Sequence, residues 1–148
     1  RDYYASRGLG DVYKRQEFKD GFNNWQIETS LEERQYTLGK DGVFISSDAN
    51  FDYSISQTVD IEYTGEYIAA VEYRGTNTTG VEVELFMDVE DESGVHTYTS
   101  DIFPADVRFV THLLKPVRLQ KNARVTVGLR MHTPPVFAKI KKISLVVI

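Results

Sequence analysis

The side chains in this sequence that could do chemistry are carboxylates, arginines and one histidine, placed at every second position of two short runs. Between Gly65 and Asp88, the residues Glu72 and Arg74, then Glu82, Glu84, Phe86 and Asp88, each fall two apart. A later run, Ala123 to His132, adds Arg130 and His132. Carboxylates accept hydrogen bonds, arginine donates them in a fixed fork, and an aromatic ring offers a flat apolar face. Together these are the groups that hold a hydroxyl-rich ligand in one orientation. The same carboxylates could in principle form an acid–base pair for glycosidic cleavage. They sit among arginines on strands, however, which is not the apolar setting a general acid needs. His96, His112 and His132 share no metal-ligand spacing, and there is no cysteine. No Gly-x-Ser-x-Gly elbow or His-Glu-x-x-His pair occurs, nor any phosphate-cradling glycine loop beyond the first sixteen residues. Asp88, Glu90, Asp91 and Glu92 lack the spacing of a calcium loop and read as a charged turn. The chemistry on offer is therefore binding rather than turnover.

Strands must position these groups, because a period of two sends successive side chains to opposite faces of a sheet. In the first run Tyr67, Ala69, Val71 and Tyr73 oppose Ile68, Ala70, Glu72 and Arg74. In the second, Val81, Val83, Leu85 and Met87 oppose Glu82, Glu84, Phe86 and Asp88. With Gly-Thr-Asn-Thr-Thr-Gly between them, the two runs read as a hairpin with one apolar and one polar face. Val125, Val127, Leu129 and Met131 continue the apolar set on the later strand. The polar face then displays Glu72, Arg74, Glu84, Phe86, Arg130 and His132, with Tyr98 joining if Val95, Thr97 and Thr99 point inward. Phe86 is the expected stacking surface, and alanine at Phe86 or Arg130 is expected to leave stability nearly intact. The competing reading is an ordinary solvated face whose charges pair across strands, each pair contributing about 1 kcal/mol or less. Further alternating segments with glycine and proline turns make the chain all-β, a sandwich of two antiparallel sheets.

Length and charge bound the rest. At 148 residues the chain suits one domain with a real core, and its formal charge of -5 carries no basic footprint for nucleic acid or an anionic membrane. No apolar run approaches a membrane span. The first sixteen residues, RDYYASRGLGDVYKRQ, show neither strand nor helix period. Asp11 to Gln16 resembles the in-frame translation of a transposase end used in preparing sequencing libraries. Residues 1–16 are therefore set apart as a scar, residues 17–148 are taken as the domain, and the true N-terminus is taken as not observed. The domain alone carries 13 Lys and Arg against 20 Asp and Glu, or -7.

Several segments resemble one family. Phe18-Lys19-Asp20-Gly21-Phe22-Asn23-Asn24-Trp25 is similar to the Phe-Glu-Asp-Gly-(x)3-Trp opening of jelly-roll carbohydrate-binding modules with galactose-binding-like topology. Ile55-Ser56-Gln57-Thr58-Val59 and Gly65-Glu66-Tyr67 resemble their Ile-Ser-Gln-x-Val and Gly-x-Tyr elements. Ala138 to Leu145 stands where those modules have a closing Ile-Asp-Asp-Val-x-Leu strand. The stretch from Asn50 to Gly65 looks most like modules attached to secreted bacterial β-1,4-galactanases. The resemblance implies a jelly roll that binds polysaccharide or oligosaccharide without turnover, targeting a fused glycoside hydrolase to galactan, xylan or β-glucan. It also implies a secreted or cell-surface bacterial protein, monomeric, with no nucleic-acid or membrane partner. The alternatives are a structural or adhesive sandwich with no sugar site, and a small glycan-degrading enzyme.

The chain departs from this family at the calcium ligands. Many such modules hold a structural calcium through the Glu of the opening motif and an Asp of the closing strand. Lys19, Lys141 and Lys142 occupy those places here. Ammonium groups repel a hard cation, so no cofactor is expected. Trp25 is expected to pack inward, as in the modules it resembles, and Phe51 and Tyr53 to pack rather than form a second patch.

Overall fold

The alternation is realised as strands. The computed structural model describes residues 25–39, 42–76, 80–102 and 107–148, together with the backbone of Val12–Gln16. In chain order the strands are β1 (Val12–Gln16), β2 (Gln26–Thr29), β3 (Tyr36–Gly39), β4 (Gly42–Ser46), β5 (Phe51–Asp60) and β6 (Gly65–Gly75). They continue with β7 (Glu82–Asp91), β8 (Gly94–Ile102), β9 (Val110–Leu113), β10 (Val117–Leu119), β11 (Arg124–Thr133) and β12 (Phe137–Val147). Among the described residues the one helical piece is a 3-10 turn, Glu33–Gln35, where the sequence reads as a loop or single helical turn. The opening-motif residues 18–24, the polar loop at Asn77-Thr78-Thr79 and the break at Pro104 lie outside the described residues.

Two antiparallel sheets pack face to face as a jelly-roll β-sandwich. One has the order β10-β6-β12-β4-β3, with β9 also on β6 and β1 also on β12; the other runs β2-β5-β11-β7-β8. The core fills the gap between them. Tyr67, Ala69, Val71 and Tyr73 from β6 meet Val83, Leu85 and Met87 from β7 and Val125, Val127 and Leu129 from β11, all buried. Full burial of each large aliphatic side chain contributes about 1.5–3 kcal/mol, which makes this alternation the main determinant of register. Phe51 and Tyr53 are buried, and Trp25 is half-buried against the same core. The β3–β4 hairpin turns where Gly39 pairs with Gly42, whose φ of +94° only glycine adopts without strain.

One expectation is overturned. β6 and β7 do not form a hairpin: β6 pairs with β12, β9 and β10, whereas β7 pairs with β8 and β11. The chain changes sheets between them, so their apolar faces meet across the core and their polar faces point away from each other. Alternation reports which face is buried but not which strand lies alongside, and both arrangements bury the same residues.

Val12–Gln16, set apart as a scar in the sequence reading, runs antiparallel to β12 and pairs with Ile143 to Val146. On that side β12 is covered by β4 only from Phe137 to Ile140. The uncovered edge offers backbone donors and acceptors that an extended segment can satisfy whatever its side chains.

Candidate functional site

The outer face of the five-stranded sheet carries a lattice of polar side chains fixed by strand register. One row crosses all five strands. Glu28 on β2 stands opposite Ser54 on β5, which faces Arg130 on β11, then Glu84 on β7 and Asp101 on β8. The neighbouring row places His132 between Asp52 and Glu82. These side chains line a cleft of ≈ 760 Å³. Five carboxylates, Glu28, Asp52, Glu82, Glu84 and Asp101, face one arginine and one histidine there. Such a surface repels anionic ligands and presents acceptors to hydroxyl groups.

The next row supports Arg130 from below. Ser56, Gly128 and Phe86 stand side by side on β5, β11 and β7. The Phe86 ring lies across Gly128: a Cβ built there would fall 2.8 Å from Phe86 Cε1, 2.6 Å from Ser56 Cβ and 2.4 Å from the Ile55 carbonyl oxygen. Above the ring sits the Arg130 guanidinium, with its central carbon 4.1 Å from the ring centroid. Arg130 Nε donates to Glu84 Oε1 at 2.7 Å. A plane held from beneath by a ring and at its edge by a carboxylate is preorganised.

Phe86 is consequently not a stacking surface. It is 4% exposed, buried under Arg130, while the Arg130 side chain is 42% exposed. Among the described residues no exposed phenylalanine, tyrosine or tryptophan ring lies on this face, and the flat groups offered to a ligand are the Arg130 guanidinium and the His132 imidazole.

His132 Nδ1 and Asp52 Oδ1 share a hydrogen bond at the cleft edge. That bond, the negative charge of Asp52 and the nearby Glu82 raise the His132 pKa above its ordinary value. A histidinium there partly offsets the carboxylates.

The structure divides the sequence-derived site residues. Glu84, Phe86, Arg130 and His132 come together, but Glu72 and Arg74 do not join them. They lie on β6, on the outer face of the seven-stranded sheet, because the chain switches sheets after Gly75. Tyr98 also departs. It stands opposite inward-facing Met87, whereas Val95, Thr97 and Thr99 pair with outward-facing Glu90, Asp88 and Phe86. The assumed inner set of β8 is therefore its outer set. The cleft also takes in Glu28, Asp52, Ser54 and Asp101, which the sequence reading passed over. Their own strands alternate, so the signal was present. The partner strands were not known, and without them these residues have no common location.

On the opposite side of the molecule Lys142 Nζ lies 3.1 Å from Glu72 Oε1 and Lys141 Nζ 4.0 Å from Glu72 Oε2. The closing-strand positions where the resemblance places a calcium ligand thus carry ammonium groups, which supply no oxygen to a hard cation. Lys19 lies outside the described residues.

The sequence matches no protein-family model and none of the curated proteins. The fold does match. TmCBM61 in complex with β-1,4-galactotriose superposes with a TM-score of 0.70 at 14% identity, over 91% of this chain and 97% of that one. The fold is that of the β-sandwich carbohydrate-binding modules. The xylan-binding module CBM15 gives a TM-score of 0.62 at 13% identity, over 93% of this chain and 97% of that one. The CBM22-1–GH10 modules of a Clostridium thermocellum xylanase, complexed with xylohexaose, give 0.60 at 15% identity, over 92% of this chain and 28% of that one. At these identities the likeness to such modules is one of fold.

Proposed function

We propose that this chain is a non-catalytic carbohydrate-binding module that holds a neutral plant cell-wall glycan (galactan, xylan or β-glucan) in the cleft of the five-stranded sheet. The observation that carries this reading is the Arg130 platform, stacked on Phe86 and clamped by Glu84 in a groove lined with hydrogen-bond acceptors. Sugar hydroxyls donate to Glu28, Glu84 and Asp101, and a pyranose face lies along the guanidinium plane. Exposed hydrogen bonds with one flat contact give modest affinity, roughly micromolar to millimolar, or about -8 to -4 kcal/mol. No calcium takes part.

The fold-level likeness to modules described with galactotriose, xylan and xylohexaose supports the ligand class. The xylanase neighbour, in which such a module shares a chain with a catalytic domain, supports fusion to a secreted glycoside hydrolase. In that setting the module raises the enzyme's local concentration on its substrate. Among the described residues no helix is long and apolar enough to cross a membrane.

A structural spacer is the second reading, favoured by the burial of Phe86 and the absence, among the described residues, of an exposed phenylalanine, tyrosine or tryptophan ring on that face. Affinity electrophoresis in pectic galactan, xylan and mixed-linkage glucan separates the two. Retardation by at least one glycan, lost in Arg130→Ala, is the expected result. Unretarded migration in all three sinks the binding reading, and reducing-end release would make the chain an enzyme.

A further inference from the structure

Arg130 and His132 stand two apart on the outer face of β11, a step of about 7 Å at the ordinary strand rise. Each offers a flat group to solvent, with the His132 side chain 75% exposed. A carboxylate from a neighbouring strand holds each of them, but from opposite sides. Arg130 turns to Glu84 on β7, and His132 to Asp52 on β5. The line joining the two groups therefore crosses β11 obliquely. On its other flank Arg130 faces Ser54 on β5, and His132 faces Glu82 on β7. The same unit thus occurs twice with its sides exchanged: a flat group, a clamping carboxylate and a further partner for hydroxyls. The second clamp is anchored from the end of β2. The Asp52 N–H donates to Ser30 Oγ at 3.0 Å, and the Asp52 carbonyl accepts from the Ser30 N–H at 3.1 Å and the Thr29 hydroxyl at 2.5 Å. An ion pair between two exposed side chains is loosely placed. With both backbone polar groups of Asp52 held, the partner of His132 starts from a fixed point.

We propose that the cleft holds two successive sugars, one on Arg130 and the next on His132, and that it selects an extended β-1,4-linked chain with equatorial linkages, a glucan or a xylan. The inference rests on the reading of the cleft as a glycan site and narrows its ligand. In such a chain each sugar is flipped relative to its neighbour, so successive sugars turn the same hydroxyl edge to opposite sides. The exchanged clamps match that alternation: Glu84 and Ser54 flank one sugar in one order, Glu82 and Asp52 flank the next in the other. In β-1,4-galactan the linkage oxygen is axial and the chain coils, so neighbouring sugars do not meet the two units in register. Thr29 and Ser30 act through Asp52 as positioning residues for the second sugar and touch no ligand.

NMR titration of the full chain tests it, with the mono- and disaccharides of β-1,4-glucan, β-1,4-xylan and β-1,4-galactan as probes. Cellobiose or xylobiose should bind at least about tenfold more tightly than its monosaccharide and more tightly than galactobiose. His132→Ala should erase the gain from one sugar to two. Ser30→Ala should weaken disaccharide binding and return the His132 pKa, followed on its ring protons, toward the ordinary value, a change that mere loss of stability does not produce. Equal affinity for mono- and disaccharide overturns the proposal, as does a preference for galactobiose or a His132→Ala variant that binds disaccharide as the parent does. Glycan retardation lost in Arg130→Ala but kept in His132→Ala sinks this inference alone, whereas no binding of any glycan sinks the reading of the cleft with it. Should His132→Ala fail to fold, the parent decides: its His132 ring resonances must move when disaccharide is added.

Discussion

The Arg130 guanidinium stacks 4.1 Å above the Phe86 ring, so a buried ring and a half-exposed cation share the outer face of the five-stranded sheet. The ring is buried on the sheet's outer face beneath the guanidinium, and the guanidinium belongs to the cleft. Their roles separate on substitution.

Phe86→Ala should cost about 3–5 kcal/mol in chemical denaturation, because it removes a buried ring and leaves a void over Gly128. Arg130→Ala should cost far less. Its half-exposed pair with Glu84 contributes about 1 kcal/mol or less, and the stack over the ring adds a similar amount. Denaturation midpoints that fall equally in the two variants would contradict this division.

Binding should order the arginine variants differently. Arg130→Lys keeps the charge but loses the plane and the fork, so retardation by glycan should drop nearly as far as in Arg130→Ala. If lysine restores parental retardation in affinity gels, the guanidinium acts as a charge and not as a platform.

Gly128→Ala should be destabilising by about 1–3 kcal/mol and should also reduce glycan binding. The new methyl meets backbone at 2.4 Å and the Phe86 ring at 2.8 Å, so the ring must lift and carry Arg130 with it. Thermal unfolding and affinity electrophoresis on one preparation read both effects. A variant with parental stability would show that the ring does not rest on Gly128.

The His132–Asp52 contact gives stability a pH dependence. A histidine whose folded pKa is raised contributes fully below its unfolded value of 6.5, and the contribution is lost as pH rises through the higher folded value. Burial lowers the pKa of His112, so its contribution has the opposite sign and falls away as pH drops below 6.5. The difference in melting temperature between the parent and His132→Gln isolates the first histidine. It should shrink from pH 6 toward pH 8, whereas a flat difference would mean the pair does not form in solution.

Three buried tyrosines should respond in two ways. The hydroxyls of Tyr53 and Tyr73 are buried with no hydrogen-bond partner among the described residues, whereas Tyr67 donates to the Tyr63 carbonyl at 2.6 Å. Tyr53→Phe and Tyr73→Phe should be neutral or stabilising, and Tyr67→Phe should cost about 1 kcal/mol. Burial raises the pKa of both unpartnered phenols above 10, so their neutral forms resist ionisation and stability falls as pH rises past 10. The two phenylalanine variants should soften that alkaline loss in pH-dependent melts.

What the sequence determined by itself was the inward or outward direction of most side chains, because period-two alternation is a local property. Tyr67 to Tyr73, Val83 to Met87 and Val125 to Met131 are buried at the alternate positions it predicts. Alternation misled where burial comes from a neighbour on the same face, as with Phe86 under Arg130. It also misled on β8, an edge strand exposed on nearly every residue, where Tyr98 was placed on the wrong side. Only the tertiary structure decided which strands lie side by side. It sent Glu72 and Arg74 to one face and Glu84 and Arg130 to the other, and it drew Glu28, Asp52 and Asp101 into the cleft from strands distant in sequence. Strand pairing is settled by backbone hydrogen bonds and by closure of the core, and neither leaves a mark on the residues that end up as neighbours across a sheet.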